Sequence, residues 1–422
     1  MSQAWPPLPG PHVATWTIAA CATAGVILRP ARIPEAAWAL AGAALLLVLG
    51  LLPWREAGRA LGQGADVMCF LVGMMVLAEL ARREGLFDTL AAWALGHAQG
   101  SGPRLFALVY GVGVLVTVFL SNDATAVVLT PAVHVAARRA GARPLPYLFA
   151  CALVANAASF VLPISNPANL VVFDGGMPAL SEWVRLFALP SIAAICVTWA
   201  VLRWMFADEL RGPLHLHVEA HPLTPSGRRA TWGMAGVALV LVGVSAAGRP
   251  LGVPTLLATA AAVAWVHAAK REAPWPVLRH VAWSVLALVA GLFVLVAGLE
   301  HTGLIAQLSS ALHTAARAAP RATAWAAGGL LGFGCNLMNN LPAGLVAGTA
   351  AQSGPLPEAV RAAIAIGIDL GPNLSVTGSL ATILWLIALR REGEHVGAMS
   401  FLRVGTLAMP VALASALGLL LL

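Results

Sequence analysis

The sequence predicts an all-α polytopic membrane protein made of two inverted-topology repeats, with about ten spans plus two hairpins. Each repeat holds transmembrane helices, a re-entrant helical hairpin and a broken helix. Three observations predict this fold. Of the 422 residues, 59% are hydrophobic and 10% are charged, and apolar runs long enough to span a bilayer recur from end to end. One segment recurs at a fixed spacing with different flanking charges. Polar, Pro-bearing interruptions occupy corresponding places in both halves.

Charge and cysteine usage exclude several classes of protein. The net charge of +7 comes mainly from Arg in short connections between apolar runs, which is typical of the positive-inside bias rather than of a nucleic-acid-binding face. The five cysteines are far apart and form no CxxC, so we expect no disulfide framework, no metal site and no cofactor. No cleavable leader is indicated, and the first apolar stretch reads as a retained span. The predicted location is the plasma (inner) membrane, with multiple passes.

The two halves are visible as a repeat. The segment "GMMVLAELARREGLFDTL", Gly73 to Leu90, matches "GLFVLVAGLEHTGLIAQL", Gly291 to Leu308, without a gap at an offset of 218 residues. The same offset places Asn122 on Asn340. We therefore divide the chain into a first repeat at 1–207, a cytoplasmic linker loop at 208–230 and a second repeat at 231–422.

The charges predict that the second repeat is inverted. Arg82 and Arg83 correspond to Glu300 and His301, so a basic connection in the first half is non-basic in the second. Under the positive-inside rule, corresponding connections then lie on opposite sides of the membrane, as in many secondary transporters. With the linker in the cytoplasm and the N-terminus outside, the expected spans include those near 12–28, 35–53, 64–80, 231–247, 254–269 and 281–299.

Each half is expected to contain a re-entrant hairpin. In "FLSNDATAVVLTP", Phe119 to Pro131, a Ser-Asn-Asp triplet interrupts an apolar segment whose two ends carry Arg, so both ends belong on the cytoplasmic side. A hairpin at about 104–137 would hold the triplet at mid-depth, protected by protein. The alternative is two complete crossings with the triplet among headgroups. The mirror hairpin spans about 324–351, with Asn339 and Asn340 at its tip.

A broken helix follows each hairpin, at about 146–173 and about 358–388. The interruptions read "LPISNPANL" and "DLGPNLSVTGS". Pro and Gly stop the helix there, and the freed backbone groups are tolerated in a membrane only where they line a cavity or a ligand. We expect the two tips and two breaks to meet near the midplane as a binding site.

These motifs, together with "NLMNNLPAG" and "IGIDLGPNLSVTGSLATILWL", resemble those of the arsenical pump membrane proteins, the arsenite and antimonite efflux permeases of the ion transporter superfamily. The resemblance covers essentially the whole chain. It implies proton-driven export of uncharged trivalent arsenite or antimonite, assisted in some systems by a cytosolic ATPase subunit, for which the 208–230 loop is a docking candidate. Sodium/proton antiporters and small-anion transporters of the same superfamily share paired hairpins with Ser-Asn tips and remain alternatives.

The polar residues of the four motifs are amides and hydroxyls, with no Arg or Lys. Such groups both donate and accept hydrogen bonds, which suits a neutral polyhydroxylated acid. A dicarboxylate or phosphate held by half-helix N-termini stays open as an alternative. The predicted substrate-binding residues are Ser121, Asn122, Ser165, Asn166, Asn169, Asn339, Asn340, Asn373, Ser375, Thr377 and Ser379.

Two carboxylates are candidates for proton coupling. Asp123 has no acidic counterpart, because its equivalent is Leu341. A lone intramembrane carboxylate is costly and is by default a functional candidate, here a group that alternately binds and releases a proton. The competing interpretation is a structural cap with a fixed charge. Asp369, the second candidate, precedes the break at Gly371, where it could instead bond freed backbone donors.

Other polar residues are expected to be structural. Glu79 and Glu300 lie at span ends, and His134 lies near a hairpin base, where interfacial charges are ordinary. Cys335 is read as a packing residue although trivalent arsenic binds thiols. The sequence has no HExxH, GxSxG or Walker A motif, which argues against an intramembrane enzyme and leaves any ATP-driven mode to a partner chain.

Overall fold

The computed structural model describes residues 10–30, 33–173, 176–212, 214 and 223–422, and the regular elements among them are all helical. In the first half, a π-helical segment at Ala124–Leu129 leads into α7, and a 3₁₀ turn at Pro163–Ser165 separates α8 from α9. The helices of this half are α1 (Gly10–Leu28), α2 (Glu35–Val48), α3 (Trp54–Gln63), α4 (Ala65–Arg83), α5 (Leu86–His97), α6 (Gly102–Phe119), α7 (Thr130–Arg139), α8 (Leu145–Ala157), α9 (Pro167–Val172) and α10 (Leu180–Met205).

The second half repeats this order of elements. Two 3₁₀ turns, Gly371–Asn373 and Val376–Gly378, separate α18 from α19. Its helices are α11 (Pro225–Ala246), α12 (Gly252–Lys270), α13 (Trp275–Arg279), α14 (Trp283–His301), α15 (Leu304–Ala318), α16 (Pro320–Met338), α17 (Asn340–Gln352), α18 (Glu358–Leu370), α19 (Leu380–Arg391) and α20 (Ala398–Leu420).

Local sequence explains where several helices begin and end. Gly85 and Gly303, at equivalent positions, adopt φ values of 75° and 80° and separate α4 from α5 and α14 from α15. Only glycine takes this left-handed conformation without strain, so both helices stop there. Helix α11 begins at Pro225, where Thr224 Oγ1 accepts a hydrogen bond from Gly227 N at 3.0 Å. The helix therefore starts inside the range predicted as the 208–230 loop, of which residues 213 and 215–222 lie outside the described residues.

The described helices include seven that are long and apolar enough to cross a membrane, and an eighth if α3 and α4, bent by 48°, form one span. One of the seven is α6, which the sequence analysis assigned to a hairpin arm. The difference from about ten predicted spans lies in α2, with 14 residues, and in the two broken segments, whose apolar runs stop at the Pro and Gly interruptions. The protein is a multi-pass membrane protein.

Packing between the halves is reciprocal. Helix α4 packs against α12, with Gly73 over Thr255, and α14 packs against α2, with Gly291 over Ala39. Glycine at both crossings lets the backbones approach closely, which is how helices associate in lipid. Each third span thus contacts the second span of the other half, so the halves form one intertwined body.

The equivalent helices α4 and α14 run in opposite directions past each other. At one end, Arg83 of α4 lies 2.7 Å from Nδ1 of His280, which precedes α14. At the other end, Nδ1 of His301, the last residue of α14, lies 2.9 Å from a carboxylate oxygen of Glu56, in the helix that precedes α4. The C-terminal end of each helix therefore meets the N-terminal end of its equivalent.

Two small-residue contacts fix α16 against α18. The backbone of Gly367 in α18 meets that of Gly328, and the backbone of Gly371, which follows α18, meets that of Gly332, so a side chain on Gly367 or Gly371 would have no room. Cys335, which is fully buried, packs beside Gly371, as expected for a packing residue. The first arm of the second hairpin region is therefore held against the helix that leads into the second break.

Candidate functional site

The first tip lies between α6 and the π-helical segment. Ser121 Oγ accepts a hydrogen bond from Ala124 N at 3.2 Å, and Asn122 Oδ1 accepts one from Asp123 N at 2.9 Å. Both side chains are buried, whereas Asp123 is partly exposed. Ser121 and Asn122 therefore satisfy backbone N–H donors at the start of the π-helical segment, which have no partner in a preceding turn.

The first break is closed by its own polar side chains. Asn166 Oδ1 accepts a hydrogen bond from Ala168 N at 3.0 Å and so caps α9, which has Pro167 at its first position. Asn169 Nδ2 donates to the carbonyl of Ser159 at 2.9 Å. The residues between α8 and α9 are thus held in a defined, buried conformation.

The second tip and break differ in detail. Asn339 has φ 74° and accepts a hydrogen bond from Leu341 N at 3.3 Å, while Asn340 is buried and makes no side-chain hydrogen bond within the described part of the chain. Ser375 Oγ donates to Asn336 Oδ1 at 2.7 Å. Ser379 Oγ accepts a hydrogen bond from Thr382 N at 3.2 Å and caps α19.

Each break is tied to the preceding hairpin arm through the same backbone position. Ser165 Oγ donates to the carbonyl of Val118 at 3.2 Å, and Thr377 Oγ1 donates to the carbonyl of Asn336 at 2.7 Å. Val118 and Asn336 are equivalent under the 218-residue offset. In both halves, therefore, hairpin arm and helix break are joined by one hydroxyl–carbonyl hydrogen bond.

The two breaks also bond to each other across the halves. Asn166 Nδ2 donates to Asp369 Oδ1 at 2.7 Å, and Asn156 Nδ2 donates to Asn373 Oδ1 at 2.9 Å. Asn373 Nδ2 in turn donates to the carbonyl of Leu153 at 3.0 Å. All of these side chains are buried, so the contacts form a polar network inside an apolar interior.

A cavity of about 660 Å³ reaches the first tip from one end of the molecule. Ser121 and Asp123 lie along it, as do Pro167 and Leu380, the first residues of α9 and α19. Its walls between tip and mouth are mainly apolar, formed in part by Leu71, Met74, Val127 and Val285. Charged and ionisable side chains line its mouth: Glu79, Arg82, Asp88, His280, Arg391 and Glu392.

Several charges near the mouth are paired. Glu79, which is 8% exposed, accepts two hydrogen bonds from Arg82 at 2.7 Å each and one from Arg83 at 2.9 Å. A carboxylate that holds two guanidinium groups leaves little unbalanced negative charge, so Glu79 acts as a structural ion-pair centre, as expected from the sequence. It also lines the cavity, which the sequence did not indicate.

His134 is more enclosed than a residue at an interface. It is 5% exposed and lies between two glutamates, with Nε2 3.2 Å from Glu394 Oε1 and Nδ1 3.5 Å from Glu392 Oε2. The two acids follow α19, in the other half of the chain. His134 thus connects α7 to the segment that ends the second broken helix.

Only two of the predicted site residues, Ser121 and Asp123, line the cavity. Five others accept from or donate to backbone groups: Asn122, Ser165, Asn166, Asn169 and Ser379. Four more bond to side chains or backbone at the breaks: Asp369, Asn373, Ser375 and Thr377. Asn339 and Asn340 form the second tip, away from this cavity. The sequence analysis missed Asn336, the charged mouth and Asn156. One signal was available for Asn156, because it precedes Asn166 by the same ten residues that separate Asp369 from Ser379.

Apolar helices of membrane-spanning length, paired polar helix breaks and a cavity that reaches an internal carboxylate define a membrane transporter. The chain belongs to the citrate transporter family, CitMHS, which it matches over residues 23–367. It is similar to the arsenical pump membrane protein of Yersinia enterocolitica, with 28% identity over 87% of this chain and 94% of the relative. The arsenical pump membrane protein of Escherichia coli is 27% identical over 88% of this chain and 96% of its own.

An uncharacterized transporter of Mycobacterium tuberculosis is also similar, with 27% identity over 93% of this chain and 94% of the relative. Among solved structures, the fold resembles that of the YdaH transporter of Alcanivorax borkumensis, with a TM-score of 0.59 and 17% identity over 98% of both chains. At this identity the likeness concerns the fold alone.

Proposed function

We propose that this transporter exports trivalent arsenite or antimonite from the cytoplasm in exchange for protons. The observation that carries the proposal is the cavity that leads from a charged mouth to Ser121 and Asp123 at the first tip. The names of the bacterial relatives supply the substrate class. Arsenite and antimonite are largely uncharged polyhydroxylated acids near neutral pH, and a hydroxyl beside a single carboxylate can bond such a molecule without a basic residue.

The position of the arginines supports a cavity that faces the cytoplasm. Arg82 and Arg391 line the mouth, and Arg83 and Arg390 adjoin them in sequence. Arg-rich connections favour the cytoplasmic side. In this orientation the cavity is open to the side from which an exporter loads its substrate.

The antiparallel passage of α4 and α14 supports the inverted repeat. Equivalent helices that cross the membrane in opposite directions are related by an axis in the membrane plane. The reciprocal contacts of α4 with α12 and of α14 with α2 fit the same relation. An inverted pair of halves provides two related conformations, each open to one side.

Asp123 is the proposed proton carrier. It lines the cavity and is partly exposed, so that a proton or a substrate can reach it. Asp369 is fully buried and its Oδ1 accepts a hydrogen bond from Asn166. We assign Asp369 to the contact between the breaks and the exchange of protons to Asp123.

A second candidate is transport of citrate or another small anion, favoured by the family name and by the N-terminus of α19, whose first residue lines the cavity. The carboxylate of Asp123 opposes this candidate, because a multiply charged anion would lie beside a like charge at the tip. Sodium/proton exchange is the remaining alternative and requires sodium dependence. The cytosolic ATPase subunit suggested by the family resemblance stays a prediction.

The deciding experiment measures uptake into inside-out vesicles with an imposed proton gradient. Export in the cell corresponds to uptake in these vesicles, so radiolabelled or mass-detected arsenite is expected to accumulate only when the interior is acidic. Parallel samples contain citrate, or sodium without arsenite. Proton-driven accumulation of citrate would show that the substrate is a small anion. Sodium-driven proton movement without arsenite transport would show sodium/proton exchange.

A further inference from the structure

A second, smaller cavity of about 230 Å³ lies between α3, α14 and α17. Seven of its ten lining residues are equivalent, under the 218-residue offset, to residues that line the 660 Å³ cavity. Examples are Glu300 with Arg82, Phe293 with Met75, and Leu345 with Val127. Four of the seven pairs lie in the two segments from which the offset was read. The other three, Gln63 with Val281, Leu345 with Val127 and Thr349 with Pro131, lie outside those segments, so the correspondence of the two cavities extends beyond the sequence match.

The two cavities lie at opposite ends of the molecule. The large cavity includes Glu79 and Arg82, near the C-terminal end of α4, and the small one includes Glu300, near the C-terminal end of α14. Because the equivalent helices pass each other in opposite directions, these ends are on opposite faces. The large cavity is lined by Ser121 and Asp123, whereas the small one is lined by Leu345 but not by Leu341, the equivalent of Asp123, which lies one helical turn away.

One aromatic side chain, Phe293, forms part of the wall of the small cavity. Phe293 is 5% exposed, and its ring lies against Gly64 so closely that a Cβ on that glycine would be 2.7 Å from a ring carbon. At the large cavity the equivalent residues are Met75 and Ala282, both of which line it. The small cavity therefore has a bulky ring packed on a glycine at the positions where the large cavity has a flexible Met side chain and an Ala.

We infer that the 230 Å³ cavity is the closed exit vestibule of the transport pathway, and that Phe293, packed on Gly64, is the side chain that closes it. The lining also includes Gln63, Thr349, Gln352 and Ser353, so the vestibule offers neutral hydrogen-bonding groups and a single acid, Glu300. These groups suit a small, uncharged, hydroxylated solute; this part of the inference rests on the proposed function, whereas the position of the vestibule does not.

The test uses cysteine accessibility and needs no substrate. In a chain whose five native cysteines are replaced by alanine, Thr349→Cys reports on the vestibule and Val128→Cys on the large cavity. A membrane-impermeant maleimide is applied to right-side-out vesicles for the first reporter and to inside-out vesicles for the second. Adding Phe293→Ala is expected to raise the labelling rate of the Thr349→Cys chain about tenfold and to lower that of the Val128→Cys chain, because the population shifts toward the outward-open state.

Phe333→Ala is the matched control, since Phe333 is 51% exposed on α16 and lines neither cavity. It should leave both labelling rates unchanged.

An unchanged labelling rate for Thr349→Cys with Phe293→Ala, or an equal rise at both reporters, would overturn the inference. If Phe293→Ala gives no folded protein, Phe293→Leu is used, for which a smaller rise at Thr349→Cys with a fall at Val128→Cys is expected; an unchanged rate refutes the inference equally. If the labelling rates change as expected but the protein does not transport arsenite, the proposed substrate is wrong and the assignment of the vestibule stands.

Discussion

Asn166 of the first break donates a hydrogen bond of 2.7 Å to the carboxylate of Asp369, 203 residues away, just before the second break. Asp369 is fully buried, and its other oxygen, Oδ2, has no hydrogen-bond partner among the described residues. A carboxylate with one hydrogen bond in an apolar interior is much less costly when it carries a proton. The Asn166–Asp369 contact is therefore better explained as an uncharged hydrogen bond that joins the two breaks than as a site of proton exchange. We call this contact the neutral clasp.

The clasp predicts different outcomes for two substitutions of Asp369. Asp369→Asn keeps an oxygen that can accept from Asn166 and should leave the free energy of unfolding close to that of the parent. Asp369→Ala leaves Asn166 Nδ2 with only its longer hydrogen bond to Ser159 Oγ at 3.4 Å, and should lower stability by about 1–3 kcal/mol. Thermal unfolding in detergent, followed by size exclusion, measures both. Adding Asn166→Ala tests the pair, because the two losses should be less than additive. Equal losses for Asp369→Asn and Asp369→Ala would contradict the neutral clasp.

Asp123→Asn should uncouple transport from the proton gradient. The amide has the size of a protonated carboxylate but carries no charge at any pH, so it mimics one of the two states that the carrier needs. Arsenite exchange across inside-out vesicles should persist, while uptake driven by a proton gradient falls to background and the rate loses its pH dependence. Asp88→Asn is the control, since Asp88 is an exposed acid at the cavity mouth. If Asp123→Asn still accumulates arsenite against its gradient with the pH dependence of the parent, Asp123 is not the proton carrier, and Asp369→Asn is tested next.

The two tip asparagines should respond differently to alanine. Asn122 bonds Asp123 N, so Asn122→Ala should lower the free energy of unfolding by about 0.5–1.5 kcal/mol. Asn340 makes no side-chain hydrogen bond within the described residues, and Asn340→Ala should leave stability nearly unchanged. If both contact substrate in some state of the cycle, both variants lose arsenite resistance at normal protein levels. Normal resistance in both would restrict these residues to a structural role.

Gly252→Ala should destabilise the contact between α12 and α4. The Gly252 N–H donates to Asp66 Oδ1 at 2.9 Å, and a methyl group there would collide with the Asp66 backbone, so we expect a loss of about 1–3 kcal/mol. Gly243→Ala is the control, because Gly243 is an exposed helical glycine with open space around it. Its stability should be unchanged or slightly raised. If the melting temperatures of both variants fell by the same amount, this account of the contact between α12 and α4 would be wrong.

Much of the local architecture followed from the sequence. Helices stop at "LPISNPANL" and "DLGPNLSVTGS" because Pro removes a backbone donor and because Asn166 and Ser379 cap the helices that follow. Gly85 and Gly303 occupy equivalent positions of the sequence repeat, and the structure shows both with positive φ at the start of a helix. These effects act over a few residues, so they can be read without knowing the fold. Composition was sufficient to assign the protein to a membrane.

The functional surface could not be read in this way. Amides at the tips and breaks suggested one shared site, but most of them bond the backbone that the breaks expose, and only Ser121 and Asp123 of the predicted set line the large cavity. Glu79, His280 and Glu392 meet at its mouth from three distant parts of the chain. No local pattern distinguishes an amide that satisfies a buried donor from one that faces a solute.

The sequence by itself determined a membrane-embedded chain, two related halves and the places where helices break, since hydrophobicity and the chemistry of Pro, Gly and Asn act locally. Only the tertiary structure decided which of the two candidate carboxylates faces the cavity. Asp123 and Asp369 both lie beside helix ends in apolar segments, and the sequence made Asp123 the first candidate and Asp369 the second without showing which of them is enclosed. Packing of α18 against α16 and hydrogen bonding from Asn166 enclose Asp369, whereas the space between α4, α7 and α19 leaves Asp123 accessible. Such differences arise from contacts between residues far apart in the chain.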